Sequence, residues 1–270
     1  MLKILALGAH PDDCDFVAGG CAALWTRRGD EILFVSVTNG DAGHSTMSPE
    51  ALTERRRAEA RAAGAVIGIE YEVLSHRDGQ LLPSLENRLD MIRRIRRFAP
   101  DLILTHRPND YHPDHRYTSM LVQDSAYMVT VPLLCPDTPH LQTNPVIAYF
   151  HDDFTKPCPF EAHVVIDVDA VMEEKWRMLH AHTSQFYEWL PVNDGTDAEV
   201  PAGAAERRTW LEKRWGPRLE EVARRYRARL VETYGLEPAS RVRFAEAFEV
   251  SEYGTRPTPE RVRELFPFPG

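Results

Sequence analysis

Two short segments of the sequence combine imidazole and carboxylate side chains at close spacing: residues 9–13 (AHPDD) and residues 112–115 (HPDH). Histidine nitrogens and carboxylate oxygens are ligands for zinc and other divalent transition metals. The same groups transfer protons near neutral pH. The two segments together therefore indicate a metal-assisted hydrolytic site.

Both segments follow stretches with the pattern of a buried β-strand. Residues 2–9 form a nearly continuous apolar run that ends before His10, and residues 101–105 (DLILT) form a similar run before the loop with the second segment. The C-terminal ends of parallel strands share one edge of a sheet, so we expect the two segments to converge there.

Helical and strand-like stretches alternate along the first two thirds of the chain. This alternation predicts an α/β fold, a Rossmann-like, mostly parallel sheet with helices on both faces, because right-handed crossovers place the helices outside the sheet. The helices are expected at residues 17–28, 52–67, 85–98, 116–128 and 171–182, and the further strands at residues 31–38, 71–74, 146–150 and 163–168.

The last third of the chain has a different pattern. We expect a catalytic region over residues 1–190 and, packed on the same domain, a helical and irregular C-terminal extension over residues 191–270. Within the extension, residues 193–203 predict a surface loop, and residues 205–234 predict one charged helix that packs on the domain or on another subunit. The proline-containing tail predicts an irregular surface segment.

Three side chains of the two segments suit a catalytic zinc. His10, Asp13 and His115 would supply two nitrogens and one oxygen and leave a fourth position for water. Zinc would lower the pKa of that water and polarise an amide carbonyl, and Asp12 is the candidate general base. Other divalent ions, Fe(II), Mn(II), Co(II) and Ni(II), tolerate the same ligands.

Each segment alone also has a purely structural interpretation. Two aspartates after a strand often cap a helix, because their side chains accept hydrogen bonds from its free N–H groups. A His-x-x-His pair in a polar loop is often a solvated surface feature. The placement of both segments at strand ends of one predicted sheet favours a site.

The two segments resemble the signatures of the LmbE-like, or PIG-L, family of N-acetylglucosaminyl deacetylases, and the resemblance spans roughly residues 2–185. It implies that His10, Asp13 and His115 bind zinc and that Asp12 is the general base. The alternation of strands and helices agrees with the fold that the family implies.

The resemblance also assigns roles to the second segment. It implies that His112 stabilises the tetrahedral oxyanion or protonates the leaving amine, and that Asp114 orients His112. The acidic residue that often directly follows the first motif in the family is replaced here by Cys14, with Asp15 one position later. We expect Cys14 to pack and Asp15 to cap a helix or support the site.

Four further side chains are candidate substrate contacts. Arg55 resembles a family arginine that faces the sugar, with a solvated helix face as the alternative and the register among neighbouring arginines open. Asp78 resembles a substrate-side aspartate, or forms an Asp-Gly turn. Tyr111 either donates to the oxyanion or packs under its loop. His182 resembles a family element near the pocket, or is a histidine at a helix end whose hydrogen bonds are made within the protein. The loop of residues 39–44 (NGDAGH) either contacts substrate or forms a plain turn.

Composition narrows the class of partner. The formal net charge of -9 and the lack of a dense Lys/Arg block argue against nucleic acid or an anionic membrane. No apolar run approaches the roughly 20 residues that span a bilayer, and the chain starts with a strand-like segment rather than a leader. Four cysteines without paired spacing predict reduced thiols, so we expect a cytoplasmic protein.

The sequence thus predicts a zinc-dependent N-deacetylase that removes an acyl group, usually acetyl, from a small N-acylated amino sugar or sugar conjugate, with homo-oligomerisation left open. The alternatives are an amidase acting on a thiol-sugar conjugate, a deacylase for larger acyl chains, and a non-catalytic metal- or sugar-binding module. Asp12 and His112, two acid-base groups beyond the ligands, speak against the binding module. A dinucleotide enzyme is disfavoured because no G-x-G-x-x-G follows the first strand.

Overall fold

Seven strands form a single sheet in the computed structural model, which describes residues 1–269. The strands are, in chain order, β1 (Lys3–Gly8), β2 (Glu31–Thr38), β3 (Glu70–His76), β4 (Leu102–Thr105), β5 (Val146–Phe150), β6 (Val164–Asp167) and β7 (Ala245–Gly254). Their spatial order is β3-β2-β1-β4-β5-β7-β6. Strands β1 to β5 are parallel, whereas β7 runs antiparallel to both of its neighbours.

Helices cover both faces of this sheet. They are α1 (Asp13–Arg28), α2 (Pro49–Ile67), α3 (Leu85–Phe98), α4 (Pro113–Ala126), α5 (Met172–Ala181), α6 (Leu190–Asp194), α7 (Ala204–Arg225), α8 (Arg227–Tyr234), α9 (Leu236–Arg241) and α10 (Pro259–Leu265). A π-helical turn, Gln185–Trp189, joins α5 to α6. Alternate side chains of β1 enter different cores: Ile4 and Ala6 pack with residues of α1, α2 and α5, and Leu5 and Leu7 pack with residues of α3 and α4. The predicted fold class is confirmed.

Strand β1 marks the point where the strand order reverses. Its neighbours are β2 on one side and β4 on the other, so the chain moves outward from β1 in one direction and then returns to continue in the other. Crevices at such a switch point, outside the C-terminal strand ends, are the usual ligand sites of open α/β sheets. Here β1 leads into His10, and β4 leads into His106.

Several helices begin earlier than the apolar periodicity predicts. Helix α1 begins at Asp13 and α4 at Pro113, so both chemical segments reach into first helical turns. First turns carry free N–H groups and favour polar residues, and this delays the apolar signal.

The C-terminal prediction was wrong in two places. Residues 205–234 form two helices, α7 and α8, which are separated at Tyr226. The tail is neither irregular throughout nor confined to the surface, because α10 ends at Leu265, and both Leu265 and the following Phe266 are fully buried. Trp25 anchors this end by donating from Nε1 to the Leu265 carbonyl oxygen at 2.8 Å.

Strand β7 was not predicted from the sequence at all. It lies between β5 and β6 although it comes last in the chain. Its second residue, Glu246, is buried and breaks the apolar pattern of a strand, and Lys175 compensates its charge at 2.6 Å. Among residues 1–269, no helix is both long and apolar enough to cross a bilayer.

Candidate metal and catalytic centre

The three predicted ligands converge at the edge of the sheet. His10 Nδ1 lies 3.2 Å from His115 Nε2, and Asp13 Oδ2 lies 3.5 Å from each of these nitrogens. Ligand atoms bound tetrahedrally at about 2.0–2.1 Å from zinc stand about 3.3–3.4 Å apart. The triangle formed by the three atoms therefore has the size that a zinc ion requires.

The outer nitrogens of both histidines face carboxylates. His10 Nε2 lies 3.2 Å from Asp78 Oδ1 and 3.5 Å from Asp114 Oδ2. His115 Nδ1 lies 3.1 Å from Asp110 Oδ1. Metal-binding histidines almost always direct their second nitrogen at such an acceptor, which fixes the ring and increases its basicity.

The charges around His10 favour a cation at this place. Burial alone would lower its pKa, but contacts with Asp114, Asp13 and Asp78 hold the pKa of His10 well above its ordinary value. A divalent ion would balance the negative charge of these carboxylates, as a proton on His10 does. The residues present thus fit a metal ion in both geometry and charge.

His106 lies against the candidate centre, where its Nε2 also accepts the Ala9 N–H at 3.0 Å, and it was missed by the sequence reasoning. Its ring stacks on His115 with centroids 3.9 Å apart, and its Nε2 lies 3.2 Å from Asp13 Oδ2. Asp13, His106 and His115 form a second group close enough to share an ion. The signal that could have identified His106 is its position in the sequence, because it is the first residue after β4. Asp110, which faces His115, was also missed.

Asp12 occupies the N-cap position of α1, but its side chain makes no capping hydrogen bond. Its backbone has φ of 137°, a conformation that L-residues rarely adopt and that persists only where the surroundings enforce it. The Asp12 N–H donates to the Tyr71 hydroxyl at 3.1 Å, and Arg56 Nη2 donates to the Pro11 carbonyl oxygen at 2.6 Å. Burial raises the pKa of Asp12 to about 6, against the lowering effect of Arg56.

His112 caps helix α4. Its Nδ1 accepts a hydrogen bond from the Asp114 N–H at 3.2 Å, so in the neutral ring the proton resides on Nε2. Burial, together with the charges of His10 and His115, lowers the pKa of His112. Its ring lies edge-on to His10 with centroids 4.5 Å apart. A neutral His112 that donates from Nε2 follows from this environment.

The Asp114 carboxylate lies against His10, whereas its contact with His112, the residue that the resemblance pairs it with, is made by the backbone N–H. Its carboxylate accepts from the Gly79 N–H at 2.6 Å and from the Leu81 N–H at 3.3 Å. Asp78, a predicted substrate contact, likewise lies against His10. Both acids thus hold a histidine of the centre in place.

The other predicted substrate contacts separate into two groups. Tyr111 lines the cavity beside the centre, is 69% exposed, and lies edge-on to His115 with centroids 5.2 Å apart. His182 is fully buried with Nε2 at 2.9 Å from Asp15 Oδ2, so it does not reach the cavity. Asp15 is the partner of His182 rather than a helix cap, and Cys14 packs in the core, where burial raises the pKa of its thiol.

Arg55 does not face the cavity either. It binds Glu188 through Nη1 at 2.8 Å and Nη2 at 2.6 Å, and Glu59 through Nε at 3.0 Å. Its neighbour Arg56 takes the position next to Asp12, which corrects the register. The loop of residues 39–44 packs behind this arginine: Gly40 has φ of 65°, and a Cβ there would lie 2.7 Å from Arg56 Nη1.

A cavity of about 290 Å³ opens from the centre. Its catalytic end is lined by His10, Asp12, Asp13, His115 and Tyr111. It continues along α1 and is walled by side chains of α7 and by the start of β7. The C-terminal part of the chain therefore shapes the space that a substrate would occupy.

Known proteins share this sequence pattern and fold. Residues 5–126 match the PIG-L family model, described as GlcNAc-PI de-N-acetylase. A diacetylchitobiose deacetylase of Thermococcus kodakarensis is 28% identical over 198 residues, which cover 69% of this chain and 71% of that protein. A 4-oxalmesaconate hydratase of Pseudomonas putida is 24% identical over 217 residues, which cover 76% of this chain and 84% of that protein.

A solved structure agrees with the fold. The N,N'-diacetylchitobiose deacetylase of Pyrococcus horikoshii matches with a TM-score of 0.71 at 24% sequence identity, over 92% of this chain and 83% of that one. The match covers most of the chain and supports the arrangement of sheet and helices described above.

Proposed function

This chain carries a domain of the PIG-L (LmbE-like) family, and we propose that it is a metal-dependent hydrolase that removes an acyl group, usually acetyl, from a small N-acylated amino sugar or sugar conjugate. The observation that carries the proposal is the triangle of His10 Nδ1, Asp13 Oδ2 and His115 Nε2, with edges of 3.2, 3.5 and 3.5 Å. The deacetylase among its sequence relatives supports the choice of reaction.

We propose zinc as the ion, because two imidazoles and one carboxylate with an open position form a typical catalytic zinc site. When bound, the ion would act as a Lewis acid that polarises the acyl carbonyl and acidifies a water molecule. His10, Asp13 and His115 would hold it, with Asp78, Asp114 and Asp110 behind the two histidines. His106 is the further nitrogen within reach of Asp13.

Asp12 is the proposed general base. It lines the cavity beside the ligands and is fixed by Arg56 and Tyr71, and burial raises the pKa of its carboxyl to about 6. A base with a pKa near the working pH both accepts and returns a proton efficiently. Asp12 would therefore take the proton of the attacking water and deliver it to the leaving nitrogen.

His112 is the proposed stabiliser of negative charge on the acyl oxygen. With Nδ1 engaged by the Asp114 N–H, its Nε2–H is free to donate. The lowered pKa favours this neutral donor over an imidazolium acid. Tyr111 would close the mouth of the cavity over the same atoms, with its hydroxyl protonated at neutral pH.

The remaining residues and regions act indirectly in this proposal. Arg55 and His182 position the loops around Arg56 and Asp12 without touching substrate. Residues 191–270 form one domain with the catalytic region, since β7 lies in the sheet. Four free cysteines support a reducing compartment, the cytoplasm.

A second candidate function is hydration of a carbon–carbon double bond. The observation in its favour is the hydratase relative, which aligns over more of the chain than the deacetylase does. Both reactions need an activated water, but only deacylation releases a carboxylic acid and an amine. The products therefore distinguish the two functions.

The first experiment measures metal content and acetate release from N-acetylglucosamine derivatives. We expect one zinc per chain and metal-dependent acetate release in the wild type, with both lost in His115→Ala. His140→Ala, a substitution of an exposed histidine away from the centre, is the matched control and should retain both. Bound metal without acyl release from any N-acyl sugar would refute the deacylase and leave the hydratase or a binding role.

A further inference from the structure

The acidic side chains that line the cavity beyond the catalytic centre have basic partners. Asp152 Oδ1 lies 3.0 Å from Arg107 Nη1, and Glu246 Oε1 lies 2.6 Å from Lys175 Nζ. These four charged groups neutralise each other inside the protein. They add little net charge to the space that a ligand would enter.

The same pairing holds near the mouth of the cavity. Asp153 Oδ1 lies 2.7 Å from Arg225 Nη1, and Glu221 pairs with Arg224. Burial lowers the pKa of His151 to about 4, so that ring is neutral at pH 7. The basic groups of this wall are thus either paired or uncharged, with one exception.

The exception is Arg218 of α7, which lines the cavity and is exposed. In the part of the chain that the structure describes, no carboxylate oxygen lies within 4.0 Å of its guanidinium. Instead, the guanidinium carbon lies 5.4 Å from the ring centroid of Phe16 and 5.9 Å from that of Trp215. Aromatic faces hold a guanidinium in place without neutralising it, so its planar set of donors stays available.

The position of Arg218 relates it to the catalytic centre. Phe16 follows the metal ligand Asp13 by three positions in α1, about 4.5 Å along the helix axis and on the same face. Both Asp13 and Phe16 line the cavity. Arg218, which stacks on Phe16, therefore lines the same cavity as Asp13 and lies next to a side chain one helical turn away from it.

We propose that Arg218, braced by Phe16 and Trp215, is an anion subsite that selects substrates carrying a carboxylate or phosphate on the group attached to the amino sugar. Arginine binds either anion through two parallel N–H···O bonds. The sugar part of this substrate class rests on the proposed deacylase function, whereas anion binding at Arg218 does not.

The test compares kcat/KM for acetate release from three N-acetyl-α-glucosaminides. The 2-hydroxyethyl glycoside is neutral, the carboxymethyl glycoside carries a carboxylate of similar size, and N-acetylglucosamine 1-phosphate carries a phosphate. The variants are Arg218→Gln and, as a matched control, Arg214→Gln. Arg214 lies one turn earlier in α7 and also contacts Trp215, but it is paired with Asp194 at 2.6 Å.

We expect the wild type to favour at least one anionic substrate by about tenfold, the factor that 1.4 kcal/mol of binding free energy provides. Arg218→Gln should lose this preference through a higher KM for the anionic substrates, whereas Arg214→Gln should keep it. The anionic substrate with the higher kcat/KM shows whether the subsite prefers a carboxylate or a phosphate. Equal kcat/KM for charged and neutral substrates in the wild type, or an unchanged preference in Arg218→Gln, would overturn the subsite and leave the deacylase standing.

Failure of the deacylase gives a different result. If no acetate is released from any of the three substrates, calorimetry measures the binding of glucosamine 1-phosphate and of the neutral methyl glucosaminide and so tests the subsite without the reaction. Tighter binding of the phosphate by the wild type than by Arg218→Gln supports the subsite. Equal binding by the two proteins overturns it.

Discussion

The guanidinium of Arg56 lies 3.3 Å from the carboxylate of Asp12, and both side chains are buried. The same guanidinium binds the Pro11 carbonyl oxygen, so one arginine fixes both the charge and the backbone of the proposed base. This contact explains how an aspartate retains a φ of 137° beside the ligand positions.

Asp12→Asn should remove nearly all turnover while the protein keeps its metal. Asparagine has the same shape and cannot accept the proton, and loss of a general base costs roughly 10²- to 10⁴-fold in rate. Steady-state acetate release and metal analysis on the same preparation check this. Full activity in the variant would refute the assignment of the base.

Arg56→Gln should lower kcat by about 10- to 100-fold, the effect of losing a hydrogen bond to a charged group. The substitution frees the Asp12 carboxylate and removes the donor to Pro11. Arg57→Gln, which removes a partly exposed arginine paired with Glu54, is the control on the same helix. Equal loss in the two variants would contradict a specific role for Arg56.

Asp110→Asn should weaken metal binding by about 10- to 100-fold, because partners of this kind orient the ligating histidine. The relevant contact is the 3.1 Å approach of Asp110 Oδ1 to His115 Nδ1. Competition with a chelator of known affinity measures the change. Asp137→Asn, at an exposed acid paired with Arg93, should bind metal like the wild type.

Lys175→Met should destabilise the fold by about 3–5 kcal/mol, because it leaves a buried carboxylate without its counter-charge. Glu246 also accepts from the Gly20 and Cys21 N–H groups and so stays in place. Urea unfolding followed by circular dichroism gives the free energy. Lys213→Met, at an exposed lysine of α7, should change it little.

His151→Phe should make the free energy of unfolding depend less on pH below neutrality. Burial lowers the pKa of His151 in the folded state to about 4, whereas the unfolded chain has a pKa of about 6.5. The unfolded state therefore binds the extra proton between these values, and stability falls as the pH falls through this window.

Between pH 7 and pH 5 the wild type should lose roughly 2 kcal/mol more than the variant. Phenylalanine keeps the ring contacts with Phe160 and Tyr226. Burial raises the pKa of Asp152 to about 6, which acts in the opposite direction but equally in both proteins. Parallel pH profiles of free energy would rule out this role for His151.

The sequence was sufficient to predict the fold class and the convergence of His10, Asp13 and His115. Both depend on local features, an apolar strand followed at once by polar residues, together with the rule that parallel strands end at one edge. Predicted helix starts were late because capping residues are polar.

Other parts of the site depend on tertiary packing. Three consecutive arginines have the same local preference, and only the position of α2 over Asp12 makes Arg56 the buried one. His106 carries no neighbouring motif residue, and its stacking on His115 exists only in the folded sheet. Strand β7 was not predicted because Glu246 interrupts its apolar pattern. Lys175, which compensates the charge of Glu246, is far away in the sequence.

The position of β7 has a consequence for folding during synthesis. Strand β6 pairs with β7 alone, and β7 separates it from β5. The ribosome delivers the ligand-bearing segments first and β7 among the last residues, at about 5–20 residues per second. For several seconds a nascent chain therefore has its proposed metal ligands but an open sheet edge and no finished cavity wall. We expect premature termination before residue 245 to yield chains that aggregate or are degraded.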